Sequence, residues 1–392
     1  MPCRSGRSLA SPVPLRPQSL AAMDTLHVRL RRNEDLSYDI RTGSGALRAL
    51  PDTVKRLGRF NLISVISDRN VDRLYGAKVA RLLAGLAPRV IRQTIPPGEK
   101  SKTRRMKEKL EDGLLARRAG RDTLVVAVGG GVMGDLAGFT AATLNRGVPF
   151  IQVPTTLLAM IDSSIGGKLA VDTPHGKNLI GVFQQPAAVI ADTDLLATLP
   201  RRELVAGLAE AFKHAVIADR DLYGLLMRNA PRYLKPDLGL YGNLVRRACR
   251  VKALVVERDE RESNLRQVLN FGHTVAHAIE TLRGYRTLHG EAVWTGMAVE
   301  ASMAAAEGHL PATERDRIIA GVDVFFPPWR NLLKGISPRE LARAARSDKK
   351  NRGGQTRYAV PARIGKMYRT GTGSYAVPIG DDALGRAIRP LI

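Results

Sequence analysis

Asp122-Thr123-Leu124-Val125-Val126-Ala127-Val128-Gly129-Gly130-Gly131-Val132-Met133-Gly134-Asp135 is the stretch that decides the fold. Asp122 to Val128 read as a buried-type strand. They run straight into three glycines, and helical spacing follows. A strand, a glycine turn and a helix start aim backbone N–H groups at a bound anion. Missing side chains let a pyrophosphate come close. The glycine spacing is tighter than the usual dinucleotide fingerprint, and a tight turn with close helix–strand packing accounts for the same residues equally well.

Working outward, Leu62-Ile63-Ser64-Val65-Ile66-Ser67-Asp68, Phe150-Ile151-Gln152-Val153-Pro154 and Ala188-Val189-Ile190-Ala191-Asp192 are further strand candidates, and Val71 to Leu86 carries helical periodicity. Strands alternating with helices predict a mainly parallel sheet covered on both faces. The character changes after Thr198-Leu199-Pro200. Glu203 to Ile217, Leu222 to Asn229, Leu244 to Glu257, Leu269 to Leu282, Ala292 to Glu307 and Pro338 to Ala345 all read as helices. The predicted organisation is a disordered extension over 1–22, an α/β domain over 23–195 and a mostly α-helical domain over 196–392.

At 392 residues, with 44% hydrophobic and 25% charged residues, the chain has room for two cores. It lacks the long apolar run of a membrane helix. Its two cysteines, Cys3 and Cys249, are too few for a disulfide framework and fit a reducing cytoplasm. The net charge of +24 raises nucleic-acid binding as a reading. The arginines are scattered beside acids, with no aromatic-interleaved basic stripe. Compositional bias explains them better, and a positive field would still collect a phosphorylated acid. Residues 1–22 are Pro/Arg-rich without a secretory apolar core. A basic transit peptide fits them, as does a start at Met23, and no catalytic role is expected there.

Four stretches carry chemistry. The first is the glycine turn. Pro154 to Lys168 packs Thr155, Thr156, Asp162, Ser163, Ser164 and Lys168 into an apolar frame, and Lys177-Asn178 follows. Lys168, Lys177 and Asn178 suit a phosphate; a solvated loop is the alternative, and two Gly-flanked lysines beside a buried-looking Asp count against it. In Ala206-Gly207-Leu208-Ala209-Glu210-Ala211-Phe212-Lys213-His214, Glu210 and Lys213 share a helix face. They serve either a cleft or a surface ion pair. Last comes Leu269-Asn270-Phe271-Gly272-His273-Thr274-Val275-Ala276-His277 with Leu288-His289-Gly290-Glu291, which holds three of the seven histidines beside Arg266. Spacing alone proposes His273 and His277 as an i, i+4 metal pair, with His289 or Glu291 as third ligand.

These stretches, in this order, resemble the 3-dehydroquinate synthases, a family of sugar phosphate cyclases. GGGVMGDLAGF, VPTTLLAMIDSSIGGK, GKNLIG, PRRELVAGLAEAFKH, LRQVLNFGHTVAHAIE, LHGEAV and DKKNRGG carry the likeness, from about Ser37 onward. The resemblance implies an α/β N-terminal NAD-binding domain plus a mostly α-helical C-terminal metal-binding domain, with the active site between them. It moves the metal ligands to Glu210, His273 and His289, and gives His277 to the substrate phosphate. Lys168, Asn178, Asn270 and Lys350 (favoured over Lys349) join His277 there. Arg146 reaches the same phosphate across a homodimer interface. Arg266 holds the substrate carboxylate. Asp162, Lys213 and Lys252 meet its hydroxyls and carboxylate. NAD is implied on Gly130, Gly131, Asp135, Thr155, Thr156, Lys168, Lys177, Thr198 and Glu203, with Asp68, Glu99 and Lys102 near the adenosine half.

The implied reaction takes 3-deoxy-D-arabino-heptulosonate 7-phosphate to 3-dehydroquinate, a step of the shikimate pathway to chorismate and the aromatic amino acids. It runs through NAD-mediated oxidation, β-elimination of phosphate, reduction and intramolecular aldol closure, with zinc or cobalt bound. Two departures stand out. Leu169-Ala170-Val171-Asp172-Thr173-Pro174 replaces a common Thr-Gly-Val-Asn-His-Pro, and Met160 stands where glutamine is common. Alternatives are another sugar phosphate cyclase, a metal-dependent polyol dehydrogenase of the same fold, or a silent scaffold that binds nucleic acid. Asn270 and His277 count against the first, the phosphate residues against the second, and the metal set against the third. Neither a nucleic-acid nor a membrane partner is expected.

Overall fold

Short apolar runs, each followed by a helix, build a parallel sheet. In the computed structural model, residues 34–235, 237–346 and 355–391 are described. The extension over 1–22 and the lysines Lys349 and Lys350 lie outside them. From Ser37 onward the chain packs as one compact unit. Its strands are β1 (Asp39–Gly43), β2 (Leu62–Asp68), β3 (Arg89–Ile95), β4 (Thr123–Gly129), β5 (Phe150–Pro154), β6 (Lys168–Thr173), β7 (Gly176–Phe183) and β8 (Ala188–Asp192). Six of them form one sheet in the order β1-β8-β5-β4-β2-β3. Every pairing in it is parallel.

Alternate side chains divide two cores between the faces of the sheet. Ile63, Val65, Leu124, Val126 and Val128 enter a core that continues into the C-terminal helices. Leu62, Ile66, Val125 and Ala127 enter a second core, closed by α1 (Gly131–Thr143) and by Leu169 and Val171 of β6. Burial on both faces is why the central strands read as continuous apolar runs. The edge strands β1 and β3 are half exposed and carry Asp39, Arg41, Arg89 and Arg92, so their composition hides them. The antiparallel hairpin β6–β7 occupies what reads in sequence as a polar loop.

The chain moves outward from β2 to β3 and in the opposite direction from β4 to β5. Ligand crevices of such sheets open at that reversal, beyond the carboxyl ends of the strands. Asp68 and Gly129 end β2 and β4 there.

The helical half uses α2 (Arg201–Ala218), α3 (Leu238–Arg258), α4 (His273–Leu282) and α5 (His289–Ala306). The single helix expected over Leu269–Leu282 is broken. A 3-10 turn spans Leu265–Asn270, Gly272 takes φ 81°, and α4 starts at His273. A Cβ on Gly272 would lie 2.7 Å from Met297 Cγ, because α5 passes directly behind it. A helix at Ala312–Phe325 was not expected from its β-branched sequence. Among the described residues, no helix is long and apolar enough to cross a membrane.

Candidate active site

Close helix contact brings the metal-competent residues together. A Cβ on Gly290 would fall 2.0 Å from the Ala206 carbonyl, so only glycine lets the start of α5 touch α2. The Trp294 indole N–H, donating to Val205 O at 3.0 Å, holds the same contact. As a result His289 faces Glu210. His273 Nε2 lies 3.5 Å and His289 Nε2 3.6 Å from the same Glu210 Oε1. Ligand atoms of the three residues lie within 4.8 Å of one another.

Glu210 is fully buried, and neither carboxylate oxygen accepts a hydrogen bond among the described residues. Lys213 is its ion-pair partner. An acid taken from water and left so poorly satisfied is costly, which fits a divalent cation. The two imidazoles are held in opposite states. Burial, helped by Lys213, pushes His273 well below the usual histidine range, so its ring is neutral. Burial also works against charge on His289, but the Glu210 and Glu280 carboxylates on either side outweigh it and raise the group to about 10, so this ring must release a proton before it binds a cation. Both rings turn Nδ1 outward, His273 to the Phe271 carbonyl at 3.1 Å and His289 to Glu280 Oε2 at 3.4 Å. His277 stacks edge-on to His273 with ring centres 5.7 Å apart. Glu291, the spacing-based alternative ligand, instead receives two hydrogen bonds from Arg202, at 2.6 and 2.8 Å, and caps its own helix.

Cations and acids alternate away from Glu210. Lys213 lies 3.9 Å from Asp162, which also pairs with Lys252. Burial opposes charge on Asp162, yet Lys252 and Lys213 hold it well below the carboxylate range. The fully buried His214 Nε2 lies 3.7 Å from it. The Glu262 carboxylate gathers two of the phosphate candidates. It pairs with Lys168 and accepts from Asn270 Nδ2 at 2.8 Å. Arg266 is 1% exposed and donates to the carbonyls of Gly166 and Glu260. Asp259 fastens that turn by accepting the backbone N–H groups of Ser263, Asn264 and Arg266.

At the glycine turn, Gly130 is the N-cap of α1 and supplies no side-chain cap. Thr156 and Ser163 stand 3.2 and 3.0 Å from where Cβ atoms of Gly130 and Gly131 would be. With no side chain at Gly130 or Gly131, the first turn of the helix lies close against these hydroxyl residues, and a helix start without a side-chain cap fits a dinucleotide phosphate. Asp68 Oδ2 is 3.9 Å from the Gly129 Cβ position. Thr155 N–H donates to Gly129 O at 2.9 Å. Lys102 joins Asp135 to Asn178, at 2.6 Å from each. Lys177 pairs with Glu280 at 3.2 Å and Glu99 at 3.6 Å. Thr198 meets the Tyr75 hydroxyl at 2.6 Å, and Glu203 sits in the first turn of α2.

One candidate stands apart. Arg146 lies beyond the far end of α1, about 20 Å along the helix from Gly131 at 1.5 Å per residue. It and Asn145 both take positive φ, at 69° and 51°. Reading the sequence missed Glu262, Glu280 and Glu300. Glu280 lies seven residues after His273, two turns along one helix face, and that was the available signal. Nothing local marks the other two.

A glycine-turn parallel sheet joined to helices that converge one carboxylate and two imidazoles defines a nucleotide- and metal-dependent class of enzyme. Comparison with known proteins narrows this. Residues 92–206 match the family model for the 3-dehydroquinate synthase N-terminal region, and residues 207–351 that for the C-terminal region. The chain is 44% identical over 344 residues to a 3-dehydroquinate synthase of Pelobacter propionicus, covering 88% of this chain and 94% of that one. The chain belongs to the 3-dehydroquinate synthase family. Its fold matches ValA, the 2-epi-5-epi-valiolone synthase of Streptomyces hygroscopicus subsp. jinggangensis solved with NAD+ and Zn2+. The TM-score is 0.81 at 27% identity, over 93% of this chain and 99% of that one. It also matches 2-deoxy-scyllo-inosose synthase complexed with carbaglucose-6-phosphate, NAD+ and Co2+. There the TM-score is 0.77 at 26% identity, over 90% of this chain and 96% of that one.

Proposed function

We propose that this chain is a 3-dehydroquinate synthase, converting 3-deoxy-D-arabino-heptulosonate 7-phosphate to 3-dehydroquinate and inorganic phosphate. The observation that carries this reading is the convergence of Glu210 Oε1, His273 Nε2 and His289 Nε2 beside a dense set of cations. In this reading residues 23–195 hold NAD, on Gly130, Gly131 and the residues around them. Residues 196–392 hold a divalent metal, zinc or cobalt, on Glu210, His273 and His289. When bound, the metal acidifies and orients the substrate hydroxyls, and NAD takes and returns one hydride.

The remaining work belongs to side chains. Lys168, Asn178, Asn270, His277 and Lys350 bind the phosphate, which would leave by β-elimination when a carbonyl two carbons from its own carbon acidifies the C–H between them. Arg266, with Lys213 and Lys252, binds carboxylate and hydroxyls. Asp162, held ionised by its two lysines, accepts hydrogen bonds from hydroxyl groups and donates none. A homodimer placing Arg146 at the partner's site is supported by the distance of Arg146 from its own site and by its exposed position. The exposed Leu179, Ile180 and Phe183 of β7 also favour a second copy. A cytoplasmic location rests on the two cysteines.

The test is to incubate the protein with the heptulosonate phosphate, NAD and zinc, following phosphate and dehydroquinate together. Both are expected in equal amounts without net NADH, and His273→Ala should lose metal and activity together. Phosphate release with accumulating NADH would sink the cyclase reading. Full metal content in His273→Ala would sink the ligand set.

A further inference from the structure

Glu280 is a buried acid with no part in the chemistry just proposed. It sits on α4, with its side chain 4% exposed. Its two oxygens face different partners. Oε2 lies 3.4 Å from His289 Nδ1, and Oε1 lies 3.2 Å from Lys177 Nζ at the start of β7.

An imidazole offers a lone pair to a cation from one nitrogen while the other keeps its proton. On His289 both nitrogens face carboxylates, since Nε2 lies 3.6 Å from Glu210. Once neutral, the ring therefore has two competing tautomers, and the acceptor on the outer side decides between them. His273 meets the same need with the Phe271 carbonyl, which the backbone holds still. Glu280 has only side-chain freedom, and the Lys177 ammonium holds its second oxygen.

From this geometry we infer that Glu280 is a positioning residue. It accepts the Nδ1 proton of His289, presents Nε2 to the metal, and is itself braced by Lys177 of the hairpin. The inference rests on Glu210, His273 and His289 being the ligands. Acceptors of this kind are worth about 10–100-fold in metal affinity. Glu280 also lies within ligand distance of His277 and His289, which makes direct ligation the rival role.

The test is zinc affinity of the purified full chain, measured by competition with a chelator, together with the cobalt(II) absorption spectrum. Glu280→Ala should bind zinc about 10–100-fold more weakly and shift the cobalt bands, as a merely structural role would not. Glu280→Gln keeps an acceptor oxygen and should lose less than the alanine variant. Lys177→Met should weaken zinc in the same direction, by less. Circular dichroism of the metal-free variants reports folding; if the alanine variant fails to fold, Glu280→Gln carries the test and must bind more weakly than the parent. Wild-type zinc affinity with an unchanged cobalt spectrum in the glutamine variant overturns the inference. So does a loss of metal in that variant as complete as in His273→Ala. Retention of metal by His273→Ala would instead undo the ligand set, a separately readable failure.

Discussion

Lys168 carries a charge that its surroundings resist. Although the side chain is 45% exposed, partial desolvation by its neighbours lowers its pKa, the Glu262 carboxylate only partly offsets this, Arg266 adds to the fall, and the group settles at about 8. Glu262 itself takes φ 60°, a backbone region most residues avoid. It holds Lys168 and Asn270 with an anion of its own, where a phosphate is proposed to bind. The sign follows directly. Below about pH 8 Lys168 is cationic and, in its proposed role, would attract the substrate; above it the charge is lost. KM for the phosphorylated substrate is expected to rise as pH passes about 8, by up to about tenfold per unit. Lys168→Arg, whose guanidinium stays charged, should flatten that rise. A KM profile between pH 6.5 and 9.5 for both proteins checks it; equal slopes would remove Lys168 from phosphate binding. Sequence made Lys168 visible as a cation between glycines. It did not show the acid from the turn before Arg266 that occupies it, because the two are 94 residues apart.

At the scale of elements, α4 depends on α5 for its first turn. The buried Glu300 accepts the Gly272 N–H at 2.6 Å and the Val275 N–H at 3.0 Å. A carboxylate from a neighbouring helix thus does the work of an N-cap, favoured by the helix dipole. His273 lies between those two N–H groups, so its direction is set by a residue 27 positions later. Glu300→Ala strands two buried donors and should cost about 3 kcal/mol, read from urea denaturation of the metal-free protein. A change under about 0.5 kcal/mol, the range of ordinary surface substitutions, would refute this account. Gly272→Ala should be damaging for the independent reason that its φ of 81° and the nearness of Met297 both exclude a Cβ. Helix periodicity alone ran straight through this point. Only the positive φ of Gly272 turns Asn270 and His273 onto different elements.

Across the whole molecule, the proposed ligand set draws on three helices, and a cation bound there would stabilise only the folded chain. At free zinc of about 100 times Kd that linkage is worth ~2.7 kcal/mol, or about 3 °C in Tm for a chain of this length. Chelation should therefore lower Tm by about that much and abolish phosphate release, and zinc or cobalt should restore both. An unchanged Tm in calorimetry, with activity intact, would argue against any metal. What the sequence by itself determined is the alternation of strand and helix, the glycine turn at the end of β4 and the kinds of residue available for chemistry. Those follow from local periodicity, turn chemistry and short-range spacing. The family resemblance pointed to Glu210, His273 and His289 together, but which residues meet is decided physically by tertiary structure and not by local spacing. Spacing paired His273 with His277, yet the coordinates turn His273 and His289 toward Glu210, more than sixty residues earlier. The physical reason is the approach of α2 and α5 at Gly290, a close backbone contact between distant segments that no local pattern encodes.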